Sequence, residues 1–151
     1  MKASDYSNEQ LDQRMRSAGL RPSSARIHVL RYLEKNRNHP TADRIYKALR
    51  PDLPSLSRAS VYNSLAALER SGLVRPLTLD GCELRYDAFV EDHGHFRCER
   101  CGAIHDFPLA HSEAADLCPD GFLARRKDVL VWGLCPSCLE ESAESANEKQ
   151  S

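Results

Sequence analysis

Two Cys-x-x-Cys pairs, Cys98/Cys101 and Cys135/Cys138, constrain this chain more than any other feature. Each pair sits where a turn forms easily: Gly102 follows Cys101 and Pro136 follows Cys135. Such a knuckle aims two thiolates at one ion, and two knuckles close a tetrahedral shell of the structural zinc type, with no position left for a substrate. The 33 residues between Cys101 and Cys135 exceed a simple zinc ribbon, so a small subdomain of strands and a helix is expected to fill the interval. Zinc binding then supplies folding energy that so short a segment lacks. After Cys138 the chain is rich in Glu, Ser and Ala and reads as a frayed helix or polar tail.

Thiolate ligands require a reducing compartment. The start, MKASDYSNEQ, lacks the basic-then-apolar order of a secretory signal, and no apolar run approaches the roughly 20 residues that span a bilayer. A cytoplasmic protein without a membrane partner is therefore expected. Cys82 and Cys118 fall outside the zinc pattern and read as buried, inert thiols.

A second constellation carries different chemistry. His93 and His95 precede the first knuckle, and residues two apart on a strand share a face, so both imidazoles can meet one ion. Asp87 and Asp106 lie nearby in sequence, and imidazole with carboxylate suits iron, manganese or zinc. On its residues alone, His39 reads as a loop histidine. His28 and His111 read as ordinary surface or helix residues, and His105 as pointing away from its neighbour Asp106.

Upstream, the punctuation is helical. Ser7 caps a helix over residues 8–18 that Gly19 ends, and Pro22 opens a second with Ile27, Leu30 and Leu33 on one face. A third follows the Thr41 cap and is expected to bury Ile45, Ala48 and Leu49 before Pro51 and Pro54 force a loop. A fourth starts at the Ser57 cap and runs to Ser71, with Val61, Leu65 and Leu68 inward and Gly72 closing it. Periodicity then changes to two: residues 73–79 and 82–89 read as strands joined by Asp80-Gly81, a strong hairpin signal. Leu84, Tyr86 and Ala88 are expected inside, alternating with Glu83, Arg85 and Asp87, and Pro76 belongs on an edge. Short helices followed by a hairpin make a winged helix-turn-helix.

Charge supports that reading. Residues 1–80 hold 14 Lys/Arg against 8 Asp/Glu, whereas residues 81–151 hold 7 against 14. A net of +6 suits a polyanion and a net of −7 suits cation binding or a partner surface. In a winged helix the last helix enters the major groove, N-terminal residues toward the bases. That end offers Ser57, Arg58 and Ser60, with Tyr62 and Asn63 one turn on: Arg58 for a guanine edge or phosphate, Asn63 for an adenine edge or the backbone. Two other classes remain open on the residues alone. A metalloenzyme would use the His/Asp cluster as an open catalytic site, although HExxH, nucleophile-elbow and phosphate-loop motifs are absent. A zinc-ribbon module would dock its basic half on protein or RNA.

Taken together, His39-Pro40-Thr41-Ala42-Asp43 with Ile45-Tyr46, Ser60-Val61-Tyr62-Asn63, Arg85-Tyr86-Asp87, His93-Gly94-His95 and the two knuckles resemble, in order, the Fur family of bacterial metalloregulators. The resemblance runs from about Leu20 to Cys138. It implies an α+β chain: a winged helix-turn-helix DNA-binding domain over residues 1–86, then a small α/β dimerisation domain over residues 87–151 with a four-cysteine Zn2+ site. It further implies a regulatory metal held by His39, Asp87, His93, His95 and Asp106, which turns His39 into a ligand, and a homodimer on a palindromic double-stranded DNA operator. Asp106 and Asn63 resemble the peroxide-sensing PerR branch, which implies a repressor using Fe2+ or Mn2+, with His39 and His93 matching the oxidised histidines; this is self-consuming sensing, not enzymatic turnover. A reversible iron- or zinc-uptake regulator, the latter with Zn2+ in the regulatory site and Cys82 as a candidate ligand, is the alternative. A further site of many iron-uptake regulators is not expected, because Gly94 and Lys127 stand where Asp and His would serve it.

Overall fold

Hydroxyl caps set the first four helices. The computed structural model describes residues 5–79, 83–109, 118–125 and 127–148; the Asp80-Gly81 turn, Cys82 and His111 fall outside these. Helix α1 (Asn8–Ser17) begins with a full capping box, in which Ser7 accepts from the Gln10 backbone N–H and the Gln10 side chain accepts from that of Ser7. Ser23 caps α2 (Ser24–Lys35), Thr41 caps α3 (Ala42–Leu49) and Ser57 caps α4 (Arg58–Arg70). Gly19 and Gly72 follow α1 and α4 at φ +74° and +77°, the left-handed conformation that ends a helix. Pro22 does not open α2; the Ser23 hydroxyl sets the start two residues later, at Ser24.

Helix α4 packs against both α2 and α3, and α1 packs on α2. Their inner faces, with Leu56 from the α3–α4 loop and Val74, Tyr86 and Ala88 from the following segment, build a core of fourteen buried residues among those described, including Leu11, Leu30, Ile45 and Leu65. Truncating one such leucine to alanine costs about 2–5 kcal/mol. On α3 the phase differs from expectation: Ala42 and Ile45 are buried, Leu49 is half-buried and Ala48 is exposed, because a helix this short turns only one narrow stripe inward.

Strands β1 (Arg75–Thr78) and β2 (Leu84–Asp87) form an antiparallel wing in which Pro76 faces Tyr86. The expected alternation on β2 fails at both ends, since Leu84 is exposed and Asp87 is buried. Period two presumes one apolar floor along the whole strand. Here Arg85 instead bridges Thr41, and Asp87 meets a histidine described below.

The chain divides into two compact units, Met1–Val90 and Glu91–Ser151, so Asp87 falls in the first. In the second, β3 (His93–Cys98) lies between β4 (Ile104–Pro108), antiparallel to it, and β5 (Val129–Gly133), parallel to it. Pro136 then opens α5 (Pro136–Glu148), so of the two alternatives for the segment after Cys138, helix or tail, the helix forms, and it begins before Cys138; proline is favoured at the first helical position. No helix occurs among the described residues between the knuckles.

Candidate metal centres and nucleic-acid interface

The sheet delivers the four cysteines to one point. Cys98 ends β3, paired with Gly133 of β5, and its chain turns back through bonds from Gly102 N–H to the Cys98 carbonyl and from Cys98 N–H to the Ala103 carbonyl, both 2.9 Å. Gly102, at φ +73°, makes that reversal without a Cβ clash. Cys135 leaves β5, and Cys138 sits in the first turn of α5. The four Sγ atoms lie within 4.8 Å of one another, and Cys101 and Cys135 are 3.8 Å apart. Tetrahedral Zn–S bonds of about 2.3 Å require sulfurs about 3.8 Å apart, so the cluster fits zinc. Backbone N–H groups of Cys101 and Cys135 hold the Cys98 thiol down to about 6, whereas burial and the neighbouring sulfurs push Cys138 up to about 12. Four thiolates so close need a cation to ionise together. Arg100 ties the first knuckle to α5 by donating to the Cys138 carbonyl at 3.2 Å and to Ser142 Oγ at 3.1 Å.

Higher on β3, His93 and His95 are both buried, with ring centroids 4.5 Å apart. The β3–β4 register sets His95 opposite Asp106, and His95 Nδ1 lies 2.8 Å from Asp106 Oδ1. His93 Nδ1 donates to the Glu91 carbonyl at 2.7 Å. A carbonyl and a carboxylate both accept, so each imidazole donates from Nδ1, the hydrogen-bonded arrangement in which a metal-ligating histidine presents its Nε2. One donor atom from each of His93, His95 and Asp106 lies within 4.8 Å of the others. Exposed His105 faces away from half-buried Asp106, as expected. Gly94 lies under the Phe107 ring, where a Cβ would stand 2.2 Å from Cζ. An acid at that position would displace the ring, and Lys127 is engaged 3.3 Å from Asp92.

The first unit holds another imidazole and carboxylate. His39 Nε2 is 3.7 Å from Asp87 Oδ2, both side chains being buried, and Asp87 Oδ1 accepts the Phe89 N–H at 2.8 Å. His39 has φ +49°, a left-handed conformation that costs about 1–3 kcal/mol for a non-glycine residue and concentrates at ligand sites. The wing maintains it: Arg85 Nη1 donates to the His39 carbonyl at 3.1 Å, and Tyr86 N–H donates to that of Pro40, also at 3.1 Å. Sequence reasoning missed the holding roles of Arg85 and the Glu91 carbonyl; the first is signalled by its place beside Asp87, the second, being backbone, by nothing in the sequence.

At the start of α4, Ser57 accepts from the Ser60 N–H at 3.0 Å and its Oγ lies 2.8 Å from Ser60 Oγ, so both hydroxyls define the helix end. Arg58 pairs with Asp43 and lies over the Tyr46 ring at 4.6 Å. Tyr62 is 55% exposed and Asn63 is also exposed, on the outer face of a helix whose Val61, Leu65 and Leu68 are buried. Arg58, Tyr62 and Asn63 are thus available to an external partner.

Residues 17–117 match the sequence model of the ferric uptake regulator family. The chain is 34% identical over 140 residues to the peroxide-responsive repressor PerR of Staphylococcus epidermidis, covering 91% of this chain and 93% of that one. Among solved structures, it resembles the ferric uptake regulator of Pseudomonas aeruginosa with manganese (TM-score 0.68, 25% identity, 83% and 97% of the two chains). It also resembles the Campylobacter jejuni peroxide stress regulator (TM-score 0.65, 26% identity, 86% and 97% of the two chains). The buried imidazoles and carboxylates, the four clustered cysteines and a sequence match over more than half its length lead to one conclusion: the chain belongs to the ferric uptake regulator (Fur) family.

Proposed function

We propose that this protein is a metal-dependent, peroxide-responsive transcriptional repressor that binds a palindromic operator as a homodimer. The observation that carries it is the pair of imidazole–carboxylate groups, one per unit, in a chain 34% identical to a repressor of that kind. In this reading Zn2+ on Cys98, Cys101, Cys135 and Cys138 stabilises the second unit. A regulatory Fe2+ or Mn2+ takes His39 and Asp87 from the first unit and His93, His95 and Asp106 from the second. A DNA-binding unit that ends at Val90 rather than at residue 86, DNA contacts by Ser57, Arg58, Ser60, Tyr62 and Asn63, and a cytoplasmic location belong to the same proposal. The exposed Val131 and Trp132 on β5, an edge strand among the described residues, favour a second copy of the chain as the dimer partner.

Fe2+ held by these five residues would let hydrogen peroxide oxidise a bound imidazole, one peroxide oxygen passing into a ring C–H bond and the other leaving as water, chemistry that Mn2+ would not support. The protein's own groups set the conditions. The Glu91 carbonyl and Asp106 keep the Nε2 lone pairs of His93 and His95 as donors, and Phe89 N–H orients Asp87. Arg85 holds the His39 loop. Ligands from two units favour one interdomain arrangement, and with it one spacing of the two recognition helices. Switching from 1:99 to 99:1 takes about 5.5 kcal/mol of differential affinity.

The test is peptide mass spectrometry of protein loaded anaerobically with Fe2+ or Mn2+ and then exposed to dilute peroxide. Iron-dependent gain of oxygen at His39 or His93 with loss of operator binding is expected. Unmodified histidines in iron-loaded protein would leave a reversible uptake regulator on the same fold.

A further inference from the structure

At the α3–α4 corner, Tyr46, Lys47, Arg50, Pro51, Pro54 and Arg58 line one concavity. Three of the six are cations, and two of them flank the tyrosine: the Arg58 guanidinium carbon lies 4.6 Å and that of Arg50 5.7 Å from its ring centroid. One acid pairs with two of these cations. Asp43, in the first turn of α3, holds Lys47 Nζ 2.6 Å from Oδ2 and accepts from Arg58 Nη1 at Oδ1. Lys47 and then Arg58 hold its carboxyl below the ordinary carboxylate range.

An acid in the first turn of a helix is favoured by the helix dipole whatever its partners. That accounts for a carboxylate at position 43 but not for both its oxygens being engaged with cations from the two helices of the turn. Arg58 is held from two sides, by the carboxylate in one direction and the aromatic face in another, while its side chain stays 56% exposed. A guanidinium with one donor fixed and its plane set by a ring is prepared for a planar pair of acceptors such as a guanine edge. Backbone phosphate, in contrast, meets a cation pair that already has a counter-anion.

We infer that Asp43 is a specificity-determining positioning residue: it orients Arg58 on Tyr46 for base reading and competes with DNA phosphates for Arg58 and Lys47, suppressing sequence-independent binding. The inference rests on the DNA-binding reading above. It makes Asp43 a residue that lowers total DNA affinity while raising discrimination.

The experiment compares Mn2+-loaded wild type, Asp43→Asn, Asp43→Glu and Asp52→Asn on two probes across a salt series. One is a duplex selected from a random pool by the wild type; the other is a scrambled duplex of equal length and composition. Asp43→Asn is expected to bind the scrambled duplex about tenfold more tightly, with a log–log salt slope steeper by about one for one added phosphate contact. Binding to the selected duplex changes little, so discrimination falls about tenfold. Asp43→Glu restores most of it, and Asp52→Asn, which removes the same charge from the neighbouring turn, has less than a third of the effect. In the Arg58→Ala background the Asp43→Asn gain shrinks, as a contact-dependent effect must. Equal gains from Asp52→Asn and Asp43→Asn, or an undiminished gain without Arg58, would overturn the inference and leave simple net charge. A wild type that binds neither duplex in a salt-dependent way would overturn the DNA-binding reading itself.

Discussion

Zinc removal should unfold one half of this chain and spare the other. The first unit has fourteen buried core residues of its own. In the second, the buried cluster among the described residues consists of Cys98, Cys135 and Cys138, with Phe96 packed against it. Among the described residues its core is therefore the metal site. Zinc binding in small peptides contributes about 10–16 kcal/mol, which matches or exceeds the roughly 5–15 kcal/mol by which whole domains are stable. Without the ion, four thiols remain in mutual contact with little apolar burial to hold them. The perturbation is Cys98→Ser, or chelation of the reduced wild type, and the assay is amide hydrogen exchange resolved by peptide. In zinc-free protein, peptides covering β3, β4 and β5 are expected to exchange at close to unfolded rates, while those of α2 and α4 stay protected by orders of magnitude. Protected β3 amides in protein shown to contain no zinc would refute the reasoning, since apolar packing would then suffice.

Three further outcomes follow from single contacts. Gly94→Asp forces the Phe107 ring away from a Cβ placed 2.2 Å from it, an overpacking cost of about 1–3 kcal/mol, which calorimetry reads as a lower melting temperature that Phe107→Ala partly restores; an unchanged melting temperature would refute it. Ser57→Ala removes the cap on the Ser60 N–H, costing about 1 kcal/mol, and is expected to weaken operator and scrambled duplexes equally in a binding titration; a selective loss on the operator would make Ser57 a base reader. His95→Ala is expected to abolish Mn2+-dependent operator binding while elemental analysis still finds one zinc per chain, and loss of both would show the two centres are not separable.

The helices were legible because their ends are chemically marked. Ser7, Thr41 and Ser57 cap as expected, and Gly19 and Gly72 close their helices. The zinc cluster was legible for a related reason, since a two-residue knuckle is local and the spacing states its geometry. Errors came where a partner distant in sequence decides the outcome. Burial of Asp87 breaks the period-two pattern of β2 because a segment more than forty residues upstream bridges Arg85 and meets Asp87. Helix α2 starts at Ser24 and not at Pro22 because the Ser23 hydroxyl caps the Arg26 N–H, a local signal that outweighs the fixed φ of the proline.

His39 is the sharpest case of the same limit. By local rules it is a histidine before a proline in a polar loop, and the residue before proline favours extended backbone. Its observed φ of +49° is instead held by two contacts from the wing, Arg85 to its own carbonyl and Tyr86 to the next. Those contacts are side chain to backbone and backbone to backbone, so no periodicity in either segment encodes them. The Thr41 cap adds to the constraint, since it lies two residues later, starts α3 at Ala42 and leaves the loop little slack. The wing therefore has a role beyond any contact with DNA: the strand that carries Asp87 also fixes the loop that carries His39. A lost Arg85 contact would then loosen the His39 imidazole by way of its own backbone, which is why a ligand set of this kind is written in tertiary contacts more than in spacing.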